Sequence, residues 1–503
     1  MLLNLNSSFS KFAVTLISRL VSALVGIIFV PLYVKLIGIE SYGMVAFYST
    51  LVGTLSFLDL GLSTAISRQV SIQRAQKDEW KETHDLVFSV EIIYWIIAII
   101  LGILIIFLSP FIAEHWVKAD KLSNASIRQA VLLMGLIFIF QFPMSIYNGI
   151  MIGLEKQIPN AVITMVFSVL KAVGVIFVLS FFEASIEVYF IWQAIITILF
   201  IFLLRYFAWK GFPSSNIKAS FSIVQIKKIW RFAAGITGIS IITFFIMQID
   251  KLIVSKMVML EFVGYYNLAF LIAGSLNQII SPIQPVIFPK FSTYFATNNV
   301  QALSQLYHKT AKWIAIIIFP IGGILVLFAN EIILAWSHNP ILTANTAPIA
   351  QICVIGTICN CMMWAPYLFL LAKGNTRFTI YQNLIVVAII TPLLYYLTRN
   401  YGIKGASFVW LFVNVGYVLI SIPIFHNFFL KGELLRWYKN DIALPFFVSA
   451  ILITGAKLIQ LRFNLTLDIF SLTALVFIVM TLYVFIIPEF RMLFYRFIKI
   501  KLT

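Results

Sequence analysis

The chain has 503 residues, 61% of them hydrophobic and only 11% charged, with a mean hydropathy of +0.99. A soluble domain carries about 25% charged residues, so these values exclude a soluble enzyme or a disordered chain. The formal net charge of +17 would suit nucleic acid, but its distribution follows membrane topology instead, and no nucleic-acid partner is expected.

Apolar runs of about 20 residues, each enough to cross a hydrocarbon core of ~30 Å, recur from end to end. The reading is an all-α polytopic membrane protein with fourteen transmembrane helices, over residues 12–36, 41–66, 86–108, 128–152, 158–182, 186–207, 228–256, 261–288, 312–336, 346–371, 376–398, 402–428, 442–460 and 466–487. The N-terminus lacks the charged, apolar and small-residue regions of a cleaved signal, so the first span is taken as retained. Of the 36 Lys and Arg, 24 fall on the N-terminus, loops 67–85, 153–157, 205–231, 289–312, 372–377 and 429–441, and the C-tail; 9 fall on the opposite loops. By the positive-inside rule both termini are cytoplasmic.

The first two spans carry charge where charge is costly, roughly 2.5–3.5 kcal/mol at a helix centre on insertion scales. Arg19 lies in span 1; Asp59 lies in span 2, with Arg68 at its end. At ~1.5 Å rise per residue, Arg19 and Asp59 sit roughly 7–8 Å to the same side of the midplane, so they pair or line one aqueous cavity. The planar fork of Arg19 suits a phosphate or pyrophosphate, and a buried cation points to a polar or anionic cargo. Lys171, near the centre of span 5, must face a cavity or a partner. Asp250 and Lys251 on span 7 are neighbours about 100° apart, expected not to pair with each other; Asp250 is a candidate for cation or proton coupling. Glu91 and Glu331, near helix ends, are expected as solvated interface residues. Asn267, Asn277 and Gln278 fit either cavity lining or helix–helix hydrogen bonds.

Glu40-Ser41-Tyr42-Gly43 recurs as Glu261-Phe262-Val263-Gly264, an offset of 221 residues that also takes Gly153 to Gly374. The expected domains are a six-helix bundle over 1–207, a cytoplasmic linker 208–227, a second six-helix bundle over 228–428, and two additional helices with a tail over 429–503. An even six spans per half makes the repeats parallel, a transporter layout with its cargo site near the midplane. Interior prolines suit hinges. Cys353, Cys359 and Cys361 share one span and read as reduced core residues rather than a disulfide or zinc site. The chain has no Walker A, HExxH, GxSxG or dinucleotide pattern, so neither a cofactor nor direct ATP drive is expected.

The stretch Pro31-Leu32-Tyr33, Gly38-Ile39-Glu40-Ser41-Tyr42-Gly43, Asp59-Leu60-Gly61-Leu62 and Ala65-Ile66-Ser67-Arg68 resembles the N-terminal pattern of Wzx-type polysaccharide flippases. Asp250-Lys251, Val263-Gly264-Tyr265-Tyr266 with Ala269, and Leu371-Ala372-Lys373-Gly374 are similar to later stretches of that family. The resemblance implies a MATE-like bacterial inner-membrane protein of the multidrug/oligosaccharidyl-lipid/polysaccharide exporter superfamily. It implies an undecaprenyl-diphosphate-linked oligosaccharide as cargo, such as an O-antigen or capsule repeat unit. It further implies alternating access through a cationic cavity, coupling to H+ or Na+, and a polysaccharide polymerase and chain-length machinery as partners. On this reading Arg19 meets the diphosphate, with Asp59 and Arg68 supplied by the motif; Lys171 and Asp250 rest on burial. The rivals are a drug/cation antiporter, which would want an acid in span 1, a flippase for the peptidoglycan precursor, and a glycan transferase, which would want large outer loops.

Overall fold

The computed structural model describes residues 8–486 apart from 60, 77–79, 213–217, 228–244, 246–247, 375 and 464–468; among the described residues there are helices and no strand. The expected span 228–256 lies outside the described residues as far as 247, residue 245 excepted, and both ends of 466–487 lie outside them. Nine helices among the described residues are long and apolar enough to cross a membrane; one of them, Phe378–Phe429, is broken at Gly402, whose φ is 58°.

The chain divides into two compact units, Met1–Gly264 and Tyr265–Thr503. The first holds α1 (Ser8–Ile28), α2 (Val30–Leu55), α3 (Leu62–Gln76), α4 (Lys81–Phe111), α5 (Asn124–Gln141), α6 (Met144–Gly153), α7 (Gln157–Phe181) and α8 (Ile186–Trp209). Within it α1 packs on α7, α3 on α6, α4 on α5, and α8 on both α5 and α7. Small residues let backbones approach, as expected where lipid removes the hydrophobic drive between helices. A Cβ on Gly149 or Gly153 of α6 would crowd the Ser63 or Ser67 carbonyl oxygen of α3.

Then come α9 (Leu260–Ile280), α10 (Ile283–Ala296), α11 (Val300–Leu327), α12 (Ala329–Ser337), α13 (Pro340–Met362), α14 (Trp364–Ala372), α15 (Thr376–Gly416), α16 (Ile422–Phe429), α17 (Leu444–Arg462) and α18 (Ile469–Ile486). In the second unit α11 packs on α13 and α17, α13 on α12 and α15, α10 on α14, and α17 on α18.

Four spans that hydropathy reads as continuous have broken backbones. Span 41–66 stops at Leu55, passes through a 3₁₀ turn Ser56–Asp59 and Gly61 at φ 65°, and restarts as α3. Span 128–152 divides between α5 and α6 at Phe142–Pro143, span 261–288 between α9 and α10 at Ser281–Pro282, and span 346–371 between α13 and α14 at Met363. Proline, which lacks an N–H and clashes with the preceding turn, accounts for two of the breaks. The breaks recur at the 221-residue offset: Leu62, the start of α3, maps onto Ile283, the start of α10, and Met144 of α6 maps onto Ala365 in the first turn of α14.

Candidate functional site

Arg19 and Lys171 stand on paired helices. Ser18 Oγ donates to the Ala161 carbonyl (2.7 Å), Ser22 Oγ to Ser168 Oγ (3.1 Å), and Tyr33 Oη to the Ala172 carbonyl (3.0 Å). The contacts ascend together, so α1 and the start of α2 run parallel to α7. Arg19 precedes Ser22 by nearly one turn, and Lys171 follows Ser168 by the same step. At ~1.5 Å per residue, Arg19 and Lys171 lie about 9 Å apart along the helix axis from the second contact and about 13–14 Å from the first. The Arg19 side chain is exposed in the structure and Lys171 is half-buried.

Asp59 does not pair with Arg19. It ends the 3₁₀ turn rather than sitting inside a continuous helix, which revises the depth inferred for it. Tyr94 Oη donates to its Oδ1 (2.5 Å) and Ser63 Oγ to its Oδ2 (2.8 Å), and among the described residues no ion pair joins it to Arg19. Its role here is to tie the broken end of span 2 to α4. Arg68 is exposed on α3, two turns along from Gly61. Asp250, in the helical stretch 248–257, lies 3.5 Å from Lys251 Nζ, against the expectation that these neighbours stay apart. The flexible lysine stem folds back across the ~100° between them.

The motif acid Glu40 is buried, and its carboxylate accepts from the backbone N–H of Asp120 (2.9 Å), Lys121 (3.0 Å) and Leu122 (3.1 Å). The same loop reaches the segment before α9. The Leu260 N–H donates to the Lys118 carbonyl (2.7 Å), Lys118 Nζ to the Met257 carbonyl (3.3 Å), and Trp116 Nε1 to Ser255 Oγ (3.3 Å). Lys256 Nζ sits 4.5 Å from the Trp116 ring centre, a cation–π contact. Loop 116–122 is thus a strap between the Glu40 turn and the segment 255–260. The two repeat motifs also cross here. A Cβ on Gly43 would overlap the Leu260 carbonyl oxygen, and one on Gly264 would stand 3.0 Å from that of Ile39. Since Leu260 is Ile39 displaced by 221, the two contacts are the same contact seen from either repeat.

Glu91 and Glu331 are not solvated, as their positions near helix ends suggested. Glu91 is 4% exposed on α4 and accepts from Tyr147 Oη (2.5 Å), Arg205 Nε (2.6 Å) and Trp209 Nε1 (3.1 Å). Glu331 opens α12 and is bound by Lys457 and, at 2.9 Å, Gln460 of α17. Asn277 accepts from Trp364 Nε1 (3.4 Å), a helix–helix bond, while Gln278 is exposed. The three cysteines are free thiols. Sequence reasoning passed over a further cluster, His308 with Glu433 and Asp441. Its one sequence cue is the rarity of histidine, five in the chain.

A family described as polysaccharide biosynthesis protein matches residues 8–295, more than half of the chain. The chain belongs to that family. A Shigella flexneri protein described as an O-antigen transporter is 21% identical over 378 residues, 74% of this chain and 87% of that one. The Escherichia coli lipopolysaccharide biosynthesis protein WzxC is 24% identical over 232 residues, 46% of each chain. Among solved structures, the lipid II flippase MurJ in an inward closed conformation matches with a TM-score of 0.73 at 16% identity, over 98% of this chain and 100% of that one. The eukaryotic MATE transporter AtDTX14 matches at 0.59 and 12% identity, over 87% and 98%. The Wzx-type family expected from the motif stretch is the family found, and the polysaccharide biosynthesis protein has the MATE-like all-helical fold that the resemblance implied.

Proposed function

We propose that this protein is a flippase for polysaccharide repeat units, carrying a lipid-linked oligosaccharide from the cytoplasmic to the periplasmic leaflet by alternating access. The observation that carries the reading is the family match over residues 8–295, joined to a fold shared over nearly its whole length with a lipid flippase. The relatives with an assigned role are named for transport, export or lipopolysaccharide synthesis, and none for a catalysed reaction. Arg19 and Lys171 hold the diphosphate in this scheme, the sugars cross through the protein, and the polyprenyl tail stays in lipid. Residues 208–227 link the bundles and 429–503 are an addition. Asp250 is the candidate for H+ or Na+ coupling, Arg68 meets cargo at the cytoplasmic entry, and both termini lie in the cytoplasm of a bacterial inner membrane. A polymerase and chain-length machinery would take up the product. A drug/cation antiporter would want an acid on the first helix, and α1 has none.

The test is leaflet accessibility of lipid-linked oligosaccharide in cells depleted of the protein. Accumulation on the cytoplasmic face, reversed by re-expression, supports the reading. Arrival at the periplasmic face regardless refutes it and moves the question to toxic-cation efflux. Retention of the peptidoglycan precursor instead would make that lipid the cargo.

A further inference from the structure

His308 lies on α11, 4% exposed, with both ring nitrogens against carboxylates. Nδ1 is 2.5 Å from Asp441 Oδ2, and Nε2 is 3.1 Å from Glu433 Oε2. Asp441 is equally buried, in the π turn Trp437–Ala443 that leads into α17. Glu433 follows Gly432, whose φ of 83° turns the chain, and also accepts from Ser304 Oγ (3.2 Å) and Arg436 Nη1 (3.3 Å). Each of the two nitrogen–carboxylate contacts needs one hydrogen. A neutral imidazole with two ionised carboxylates supplies one in all. Wherever the second proton resides, the arrangement holds one more than a neutral imidazole and two ionised carboxylates carry.

We propose that His308, Asp441 and Glu433 form a proton-binding site that clamps the segment 433–441, and with it the appended α17, to α11 of the bundle. The proton is the second hydrogen that the two nitrogen–carboxylate contacts require. Its loss leaves the imidazole a single N–H, which stays with the buried Asp441, and the longer contact to the half-exposed Glu433 is released.

The other titratable groups around the site are Tyr307 beside His308 and Lys312 one turn further along α11, Tyr438 in the π turn and His426 on α16. Tyr438 is engaged with the Val418 carbonyl (2.7 Å). His426 Nδ1 is 2.8 Å from the Ile422 carbonyl, which makes Nδ1 its donor and Nε2 its basic nitrogen. That Nε2, the Tyr307 hydroxyl and Trp437 Nε1 are enclosed with no hydrogen-bond partner among the described residues. Tyr307 stacks edge-on to both histidines, at 5.4 Å from His308 and 5.5 Å from His426. A second proton on His426 would face the first, so the cluster is built to bind one. Burial raises the Glu433 carboxyl, but Arg436 and the positive His308 outweigh it and hold the group below its usual range, as the clamped state requires.

On this proposal the folded protein holds at the site a proton that the unfolded chain gives up as pH rises. Stability from the clamp is therefore present at low pH and lost as pH rises. The folded-to-unfolded ratio falls by up to tenfold per pH unit between the titration of free histidine and the pH at which the folded site empties. The test is unfolding of the full chain in detergent from roughly pH 5.5 to 8.5, the range histidine covers, comparing wild type with His308→Gln. Glutamine keeps a donor but does not titrate, so the slope should vanish. Glu433→Gln, at a half-exposed position that keeps the Ser304 contact, should move release to lower pH. A wild-type slope retained in His308→Gln overturns the proposal. Should that variant not fold, ¹⁵N resonances of the five histidines decide: a His308 ring doubly protonated beyond the range of free imidazole supports the site, and an ordinary titration refutes it. None of these readouts depends on transport, so failure here leaves the flippase reading standing.

Discussion

Removing Arg205 should harm the protein more than removing the acid it binds. Glu91 has no water to fall back on: it is 4% exposed, with Tyr147, Arg205 and Trp209 as its donors. Arg205 is different, its side chain 46% exposed. In Glu91→Ala the arginine turns to solvent, a loss of about 0–1 kcal/mol by the standard of exposed pairs. The cost is then the stranded Tyr147 Oη, fully buried, at about 1–3 kcal/mol, with less for Trp209 Nε1 on a half-buried residue. In Arg205→Ala a buried carboxylate keeps only neutral donors, and an uncompensated buried charge costs about 3–5 kcal/mol. Replacing both with leucine removes charge and partner at once and should cost less than Arg205→Ala alone. The assay is SDS-titrated or thermal unfolding in detergent, followed by tryptophan fluorescence. Arg205→Ala milder than Glu91→Ala, or a double variant equal to the sum of the singles, would refute the reasoning.

Arg19→Ala and Lys171→Ala should each abolish export of lipid-linked oligosaccharide at unchanged membrane levels, and the double variant should be no worse; normal export by either would remove that residue from the cargo site. Glu40→Ala deprives three backbone N–H groups of a charged acceptor worth about 1.5–3 kcal/mol per bond. Hydrogen exchange at residues 120–122 should accelerate at least ~10-fold, and unchanged protection would mean the strap is held by 116–118 alone. Gly43→Ala should lower the melting temperature and block transport, because the added methyl meets the Leu260 carbonyl, a backbone atom that cannot swing away. Gly26→Ala is the control. Its Cβ meets nothing within 4 Å, so helix propensity should make it neutral or up to ~1 kcal/mol stabilising.

Composition and periodicity determined the class, because an apolar run of membrane length has one stable use. The motif stretch determined the family, and two of its glycines are explained by backbone alone: Gly38 at φ 83° makes the turn between spans 1 and 2, and Gly374 at φ 73° ends α14. The 221-residue offset was legible from a few matched turn residues, since equivalent turns demand equivalent residues. The backbone breaks at Leu55–Gly61 and at Met363 were not legible, because a 3₁₀ turn or a restarted helix leaves hydropathy unchanged. Asp59 therefore looked like a charge in mid-helix when it closes a break. The partners of Glu91, Glu331 and His308 lie 56 to 133 residues away. No local pattern encodes a contact at that separation, and an acid near a helix end reads alike whether water or an arginine from another helix meets it. Only the tertiary structure, by bringing side chains of α8 to Glu91, of α17 to Glu331 and of the segment 433–441 to His308, decided which charges were buried and which were paired.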